Sequence, residues 1–436
     1  MSNFVIKGGK KLTGEITTNT AKNAALSCMY ACLLTDEESC LDDMPRIEEV
    51  ERTREVFESI GVKTQWISEH TLAIAPPKKI QISKINAHAA EKTRVSLFLI
   101  GALIHKYKKF DIPRSGGCKL GNRTIFPHTF ALEKFGANVT TTPKYYHVEC
   151  KGKITAAEVV MYEAGDTPTE NAILAAVLAH GTTTIKFCSA NYMVQDLCYL
   201  LNSMGAHITG IGTTTLTIKG AKKLRGADHY PIIPDPIESM LLLSLAATTN
   251  SSILIKNCPK DFLELELTKL KVMNFRFEIT KKYRSKNKHF ELIDIRTSPS
   301  NLKAIESPDK IEARPYPGLN IDNLPYFVPI ATQARGKTLI HDWVYENRAI
   351  YYMEFQKLGA DILLADPHRV FITGKKALMP TEIVCPPALR PASIILIGML
   401  AARGKSILRN TYSIDRGFEN LYNRLKTLGA DIVVIS

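Results

Sequence analysis

No apolar run in the 436-residue sequence approaches the ~18–20 residues that a membrane-crossing helix needs, so no membrane partner is expected. The stretch from Met1 to Lys7 has no basic segment followed by an apolar one, so a cytoplasmic chain without a signal peptide is expected. A disulfide framework is lacking too. The nine cysteines (Cys28, Cys32, Cys40, Cys118, Cys150, Cys188, Cys198, Cys258 and Cys385) are odd in number and scattered, mostly in apolar runs, as reduced core thiols are. Cys28 and Cys32 lie four apart, yet no histidine or second cysteine pair completes a zinc set, so neither a metal nor a cofactor is expected. Dense basic tracts and nucleic-acid-binding signatures are also missing. The net charge of +13 therefore suits a cleft that gathers small anionic substrates better than a nucleic-acid face.

What is present is a soluble-protein composition, 45% hydrophobic and 23% charged, on a chain long enough for two domains. Internal repetition organises it. An apolar residue, Gly and a short alternating run recur at Ile60-Gly61-Val62, Phe135-Gly136-Ala137, Met204-Gly205-Ala206, Leu358-Gly359-Ala360 and Leu428-Gly429-Ala430. Met273-Asn274-Phe275 is a degenerate copy between the third and the fourth, which makes six units of about seventy residues. Each marker follows apolar positions three and four apart, the spacing of a helix. A second, strongly apolar helix is predicted in each unit, over 24–34, 95–107, 171–180, 239–247, 327–333 and 393–402, buried on most sides. After several of these a glycine and a β-branched run mark a helix end and a strand. Six such units point to two pseudo-symmetric domains of three, helices inside and sheets outside. The chain is expected to cross between them near Thr20-Ala21 and at the proline-rich 230–236.

One segment concentrates chemistry. Arg114-Ser115-Gly116-Gly117-Cys118-Lys119-Leu120-Gly121-Asn122-Arg123 sets a cysteine among glycines and cations. Cations favour the thiolate and glycines let the backbone move. By itself the segment is equally a basic surface loop with an incidental thiol. Likewise, Lys22-Asn23 at the start of the first apolar helix suits a phosphate, or is a solvated lysine on a capped helix.

A chain of further motifs separates these alternatives: Ala21-Lys22-Asn23-Ala24-Ala25, Lys92-Thr93-Arg94-Val95-Ser96, Gly116-Gly117-Cys118 with Gly121, Arg123 and His128, Ile321-Asp322, Val344-Tyr345-Glu346-Asn347-Arg348, Leu389-Arg390 with Ser393, and Ile414-Asp415-Arg416-Gly417. In this order the chain resembles the UDP-N-acetylglucosamine enolpyruvyl (1-carboxyvinyl) transferase family, of the superfamily of enolpyruvylshikimate phosphate synthase. The resemblance implies an α/β (α+β) fold, a two-domain inside-out α/β barrel of six βαβαββ units. Residues 22–233 would form an inserted domain carrying the Cys118 loop, and 1–21 plus 234–436 the second, joined by a two-stranded hinge. It implies phosphoenolpyruvate as donor, and a nucleotide sugar or nucleotide as acceptor, with the oligomeric state left open. The reaction needs cations for a trianionic donor, an acid for the methylene carbon and a base for the acceptor hydroxyl. By resemblance Lys22, Arg123 and Arg416 would hold the phosphate and Arg348 and Arg390 the carboxylate, while Arg94 lines the site. Cys118 would be the acid on a mobile lid and Asp322 the base. Asn23 would orient the acceptor, and His128 and Tyr345 would lie among the substrate-binding residues. An epoxide phosphonate such as fosfomycin should then alkylate Cys118.

The departures from the family pattern gather on the acceptor side. Thr124 to Pro127 and Gly165 to Thr169 differ at nucleotide contacts, Glu163 stands where a lysine meets the diphosphate, and Pro236 replaces an arginine near the hinge. An acid facing a diphosphate is repulsive and needs compensation. The parent acceptor, UDP-N-acetylglucosamine, and a different nucleotide or sugar phosphate both remain open. A fold-keeping binding protein without activity is the rival from another class.

Overall fold

The computed structural model describes residues 2–116 and 124–435, and its described residues form two compact units. One comprises 20–116 and 124–233, and the other 2–19 and 234–435. The chain passes from the second into the first after Asn19 and back after Ile233. At these passages Ala21 N donates to Ile233 O (2.8 Å) and Asp235 N to Asn19 O (2.7 Å).

Among the described residues six small sheets carry the α/β architecture, five of four strands and one of three. In unit 20–233 they are Tyr230–Pro231, Ser39–Asp42, Leu72–Ala75 and Lys63–Trp66; Lys109–Pro113, Tyr145–Cys150 and Ala137–Thr141; and His207–Thr209, Thr215–Lys219, Thr182–Lys186 and Glu158–Val160. The other unit contributes Arg276–Arg284, Glu291–Ser298, Ser252–Pro259 and Thr13–Thr17; Ile311–Glu312, Gly336–His341, Arg369–Gly374 and Asp361–Leu364; and Glu382–Val384, Gly404–Arg409, Asn3–Gly8 and Asp431–Ile435. Each four-stranded sheet has one parallel pair and two antiparallel ones. The repeat markers have one backbone reason. Gly61, Gly136, Gly205, Gly359 and Gly429 all have φ between +80° and +101°, and Asn274 repeats the turn at +60°. Each ends a helix and turns the chain into an antiparallel edge strand. Asparagine is among the few side-chain-bearing residues that tolerate this conformation, so the degenerate copy still works.

The apolar helices run Lys22–Ala31, Phe98–Leu103 and Asp166–Ala176 in one unit, and Pro236–Thr248, Phe327–Gln333 and Leu389–Ala401 in the other. Every residue of Pro236–Thr248 is buried, as is every residue from Leu389 to Leu400. Helices with no polar face belong in the centre of a unit. The predicted helix 95–107 is shorter, a 3₁₀ turn Val95–Leu97 leading into Phe98–Leu103. Gly101 explains the packing there: a Cβ would fall 2.4 Å from Asn171 Oδ1, so only glycine lets Phe98–Leu103 close on Asp166–Ala176. Among the described residues no helix is long and apolar enough to cross a membrane.

Candidate active site

In the unit containing 234–435 the site begins at the start of helix Leu389–Ala401. Its N-cap is Ala388, which has no side chain to satisfy the first amides, and Arg390 stands in the first turn. An uncapped helix start carries a positive dipole end, and an arginine beside it adds a full charge. Arg390 is 6% exposed, its Nη2 lies 3.2 Å from Asp322 Oδ2, and its guanidinium sits 5.6 Å from the Phe418 ring. Gly417 lets this last segment pack closely, since a Cβ there would lie 2.3 Å from a Leu389 methyl. Arg416, on the C-terminal side of the short helix Tyr412–Asp415, is carried on the same segment.

Asp322 is held from below. Its amide donates to Asn320 Oδ1 (2.9 Å), while Glu266 Oε1 accepts from Asn320 N (3.1 Å) and Asn323 Nδ2 (2.8 Å). Burial pushes the Glu266 carboxyl up, partly offset by those hydrogen bonds. Arg348 is fully buried: its Nε and Nη2 reach the Asp342 oxygens at 2.6 and 2.8 Å, and Nη2 also donates to Ile321 O at 2.8 Å. Its Nη1 lies 3.7 Å from Asp322 Oδ1 and makes no hydrogen bond among the described residues. Tyr345 presents its ring 4.4 Å from the guanidinium. Asp322, Arg348, Arg390 and Tyr345, scattered over 69 positions, are thus one cluster.

The unit 20–233 repeats the device. Helix Lys22–Ala31 starts after Ala21, again without a side-chain cap and with a cation in its first turn. Lys22 Nζ is paired with Glu49 Oε2 at 2.6 Å, both side chains mostly covered, and Asn23 Nδ2 donates to Tyr192 OH at 3.3 Å. Arg94 Nη2 donates to Thr124 O at 2.8 Å. His128 is 2% exposed and sits between Asn171 and Thr167. Asn171 Oδ1 accepts from Gly101 N at 2.9 Å, which fixes its amide orientation and leaves Nδ2 to donate to Leu97 O (3.0 Å) and His128 Nδ1 (3.2 Å). His128 therefore carries its proton on Nε2, 3.3 Å from Thr167 Oγ1. Cys118 and Arg123 lie outside the described residues.

Where the sequence departs from the family pattern, the rings of Phe126 and Tyr162, 47% and 60% exposed, meet edge to face at 4.9 Å. Helix Asp166–Ala176 begins among acids: Glu163 Oε1 would be 2.9 Å from a Cβ on Gly165, the N-cap, and Asp166 accepts from Ser189 Oγ (2.5 Å) and Asn191 Nδ2 (3.2 Å). Two buried acids stand deeper in this unit. Burial and neighbouring Asp166 push the Glu170 carboxyl up. Asp196 accepts from Tyr230 OH (2.6 Å) and Ile233 N (3.0 Å), and burial pushes it up to about 7 against the pull of those bonds.

Sequence reasoning missed Asp342 and Glu49. A buried arginine demands a partner, but the burial of Arg348 shows only in the structure, and nothing in the spacing singles out Asp342. Glu49 sits in the acid-rich helix Glu48–Ser59, where it reads as one more solvated charge.

Comparison with known proteins accords with this geometry. The family described as EPSP synthase (3-phosphoshikimate 1-carboxyvinyltransferase) matches residues 6–425. UDP-N-acetylglucosamine 1-carboxyvinyltransferase of Treponema denticola is 35% identical over 434 residues, covering 99% of each chain. The enzyme of the same name from Borreliella burgdorferi is also 35% identical, over 436 residues and 99% of each. The enolpyruvyl transferase NikO from Streptomyces tendae shares the fold with a TM-score of 0.86 at 21% identity, over 100% of this chain and 99% of that one. EPSP synthase from Acinetobacter baumannii superposes over the full length of both chains with a TM-score of 0.77 at 17% identity. With a matching family signature over nearly its whole length and relatives at a third identity end to end, this chain belongs to the EPSP synthase family of enolpyruvyl transferases.

Proposed function

We propose that this protein transfers the enolpyruvyl group of phosphoenolpyruvate to a hydroxyl of UDP-N-acetylglucosamine, a peptidoglycan precursor step, releasing phosphate. The observation that carries the proposal is the cluster around Asp322: a carboxylate between Arg348 and Arg390 at an uncapped helix start. Carboxylate and cations there meet the needs of a base and of an anionic donor at once. Asp322 takes the acceptor proton as the acceptor oxygen bonds to C2 of the donor, and Cys118 gives a proton to C3. Loss of a C3 proton then expels phosphate from C2 and restores the double bond. Lys22, Arg123 and Arg416 serve the phosphate, Arg390 and the Nη1 of Arg348 the carboxylate, with Arg94, Asn23, His128 and Tyr345 lining the substrates. The same reading includes the inside-out barrel of three βαβαββ units in each of two domains.

A second reading, transfer to a different nucleotide or sugar phosphate, is favoured by one observation. Glu163 and Asp166 already place two carboxylates at the start of helix Asp166–Ala176, where an acceptor diphosphate would be repelled. A phosphate-release assay with phosphoenolpyruvate against a panel of nucleotide sugars and nucleotides separates the two. Turnover with UDP-N-acetylglucosamine supports the first, and turnover only with another acceptor the second. No phosphate release with any acceptor refutes both.

A further inference from the structure

One of the two arginines of the Asp322 cluster, Arg348, spends a bidentate hydrogen-bonding edge elsewhere. The planar Nε–Nη2 edge, one of the two that can grip a carboxylate bidentately, is closed on Asp342, whose side chain is 1% exposed. Tyr352 OH donates to the same carboxylate at 2.5 Å. The Asp342 backbone is fixed as well: its amide donates to His368 O at 2.7 Å, and its carbonyl lies 3.0 Å from His368 Nδ1. One acid suffices to neutralise a buried arginine, so a second nearby acid changes which one the arginine grips.

Resting on the function proposed above, we infer that Asp342 is a positioning residue: by gripping the Nε–Nη2 edge it stops Arg348 from clamping the base Asp322. With Nε and one Nη2 hydrogen on Asp342 and Nη2 also held by Ile321 O, Arg348 approaches Asp322 only through Nη1, at 3.7 Å, beyond hydrogen-bond distance. Its Nη2 meanwhile pins Ile321 O, one residue before the base. Without Asp342 the guanidinium turns its free edge to Asp322, the other acid paired with it among the described residues, and Asp322 loses the lone pairs with which it takes a proton. Asp342 thus orients Arg348, and Arg348 sets both the backbone and the charge environment of the base.

The test compares Asp342→Asn and Asp342→Glu with the wild type. In Asp342→Asn, kcat for phosphate release should fall by about ten- to a hundredfold, the order of a misplaced base, and KM for phosphoenolpyruvate should rise with it, because the turned Arg348 also leaves the donor carboxylate. Asp342→Glu should recover part of the loss. Unchanged kcat, or a rise confined to KM, overturns the inference. A second measurement does not need turnover. In protein labelled with ¹⁵N-arginine, the Arg348 Nε–H signal, assigned by its absence in Arg348→Lys, should move in Asp342→Asn and return in Asp342→Glu. If it does not move, the inference falls even in an active enzyme. If wild type releases no phosphate with any acceptor while the signal moves as expected, it is the functional reading that has failed.

Discussion

Asn171→Ala should open the seam between helices Phe98–Leu103 and Asp166–Ala176. The side chain is fully buried and serves three partners at once: Gly101 N, Leu97 O and His128 Nδ1. Alanine removes all three bonds and leaves His128 Nδ1 buried without that donor, while Gly101 N and Leu97 O can still pair with each other at the helix start, so a loss of about 1–3 kcal/mol is expected. Nothing can fill the gap from across the seam, because Gly101 offers no side chain. A chain of two units need not unfold in one step, so the local reporter is hydrogen exchange of the Gly101 amide, with urea unfolding beside it. Asn171→Asp keeps an acceptor for Gly101 but has no donor for Leu97 unless protonated, so its stability should rise as pH falls. A loss below ~1 kcal/mol in Asn171→Ala, with Gly101 still protected, would refute the reasoning.

Asp196→Asn tests the buried acid. Its folded pKa of about 7 lies above the ordinary carboxylate value, so its stabilising contribution is full below about pH 4 and is lost as pH rises through 7. The asparagine variant should flatten that slope, worth up to a few kcal/mol, in unfolding midpoints taken across the window; an unchanged slope counts against it. A double-mutant cycle on Lys22→Met and Glu49→Gln should give a coupling of about 1–2 kcal/mol, since both side chains are mostly covered. Near-zero coupling would mean the pair is solvated like a surface bridge. Fosfomycin should add covalently to Cys118 in intact-mass measurements, faster with an acceptor present, and Cys118→Ala should abolish the adduct. An adduct surviving that substitution would place the reactive thiol elsewhere.

The repeats were legible because they rest on local backbone chemistry. A turn at positive φ calls for glycine, and even its exception, Asn274, is a residue that tolerates the same turn. The apolar helices were equally legible, since burial on all sides writes itself as an unbroken apolar run. Their boundaries were less so: Pro236–Thr248 begins three residues before the apolar pattern predicted, set by Asp235, whose Oδ1 accepts from Ile237 N. Ion pairing was not legible. Arg348 and Asp342 lie six apart across a loop with no period, and Lys22 and Glu49 belong to different helices, so only three dimensions bring them together. His128 could be picked out as a candidate, but its tautomer follows from the orientation of Asn171, which no spacing encodes.

The sheet that joins Asn3–Gly8 to Gly404–Arg409 and Asp431–Ile435 has a consequence for the order of assembly. The described residues of the first unit, 20–116 and 124–233, all precede residue 234, so its strands have left the ribosome before most of the second unit is made and can pair at once. The opening strand cannot. It waits, with both edges unsatisfied, for partners made some four hundred residues later, and the second unit closes only once those strands exist. Truncation near the C-terminus should therefore cost the first strand its place as well as the last, and leave the inserted unit folded alone.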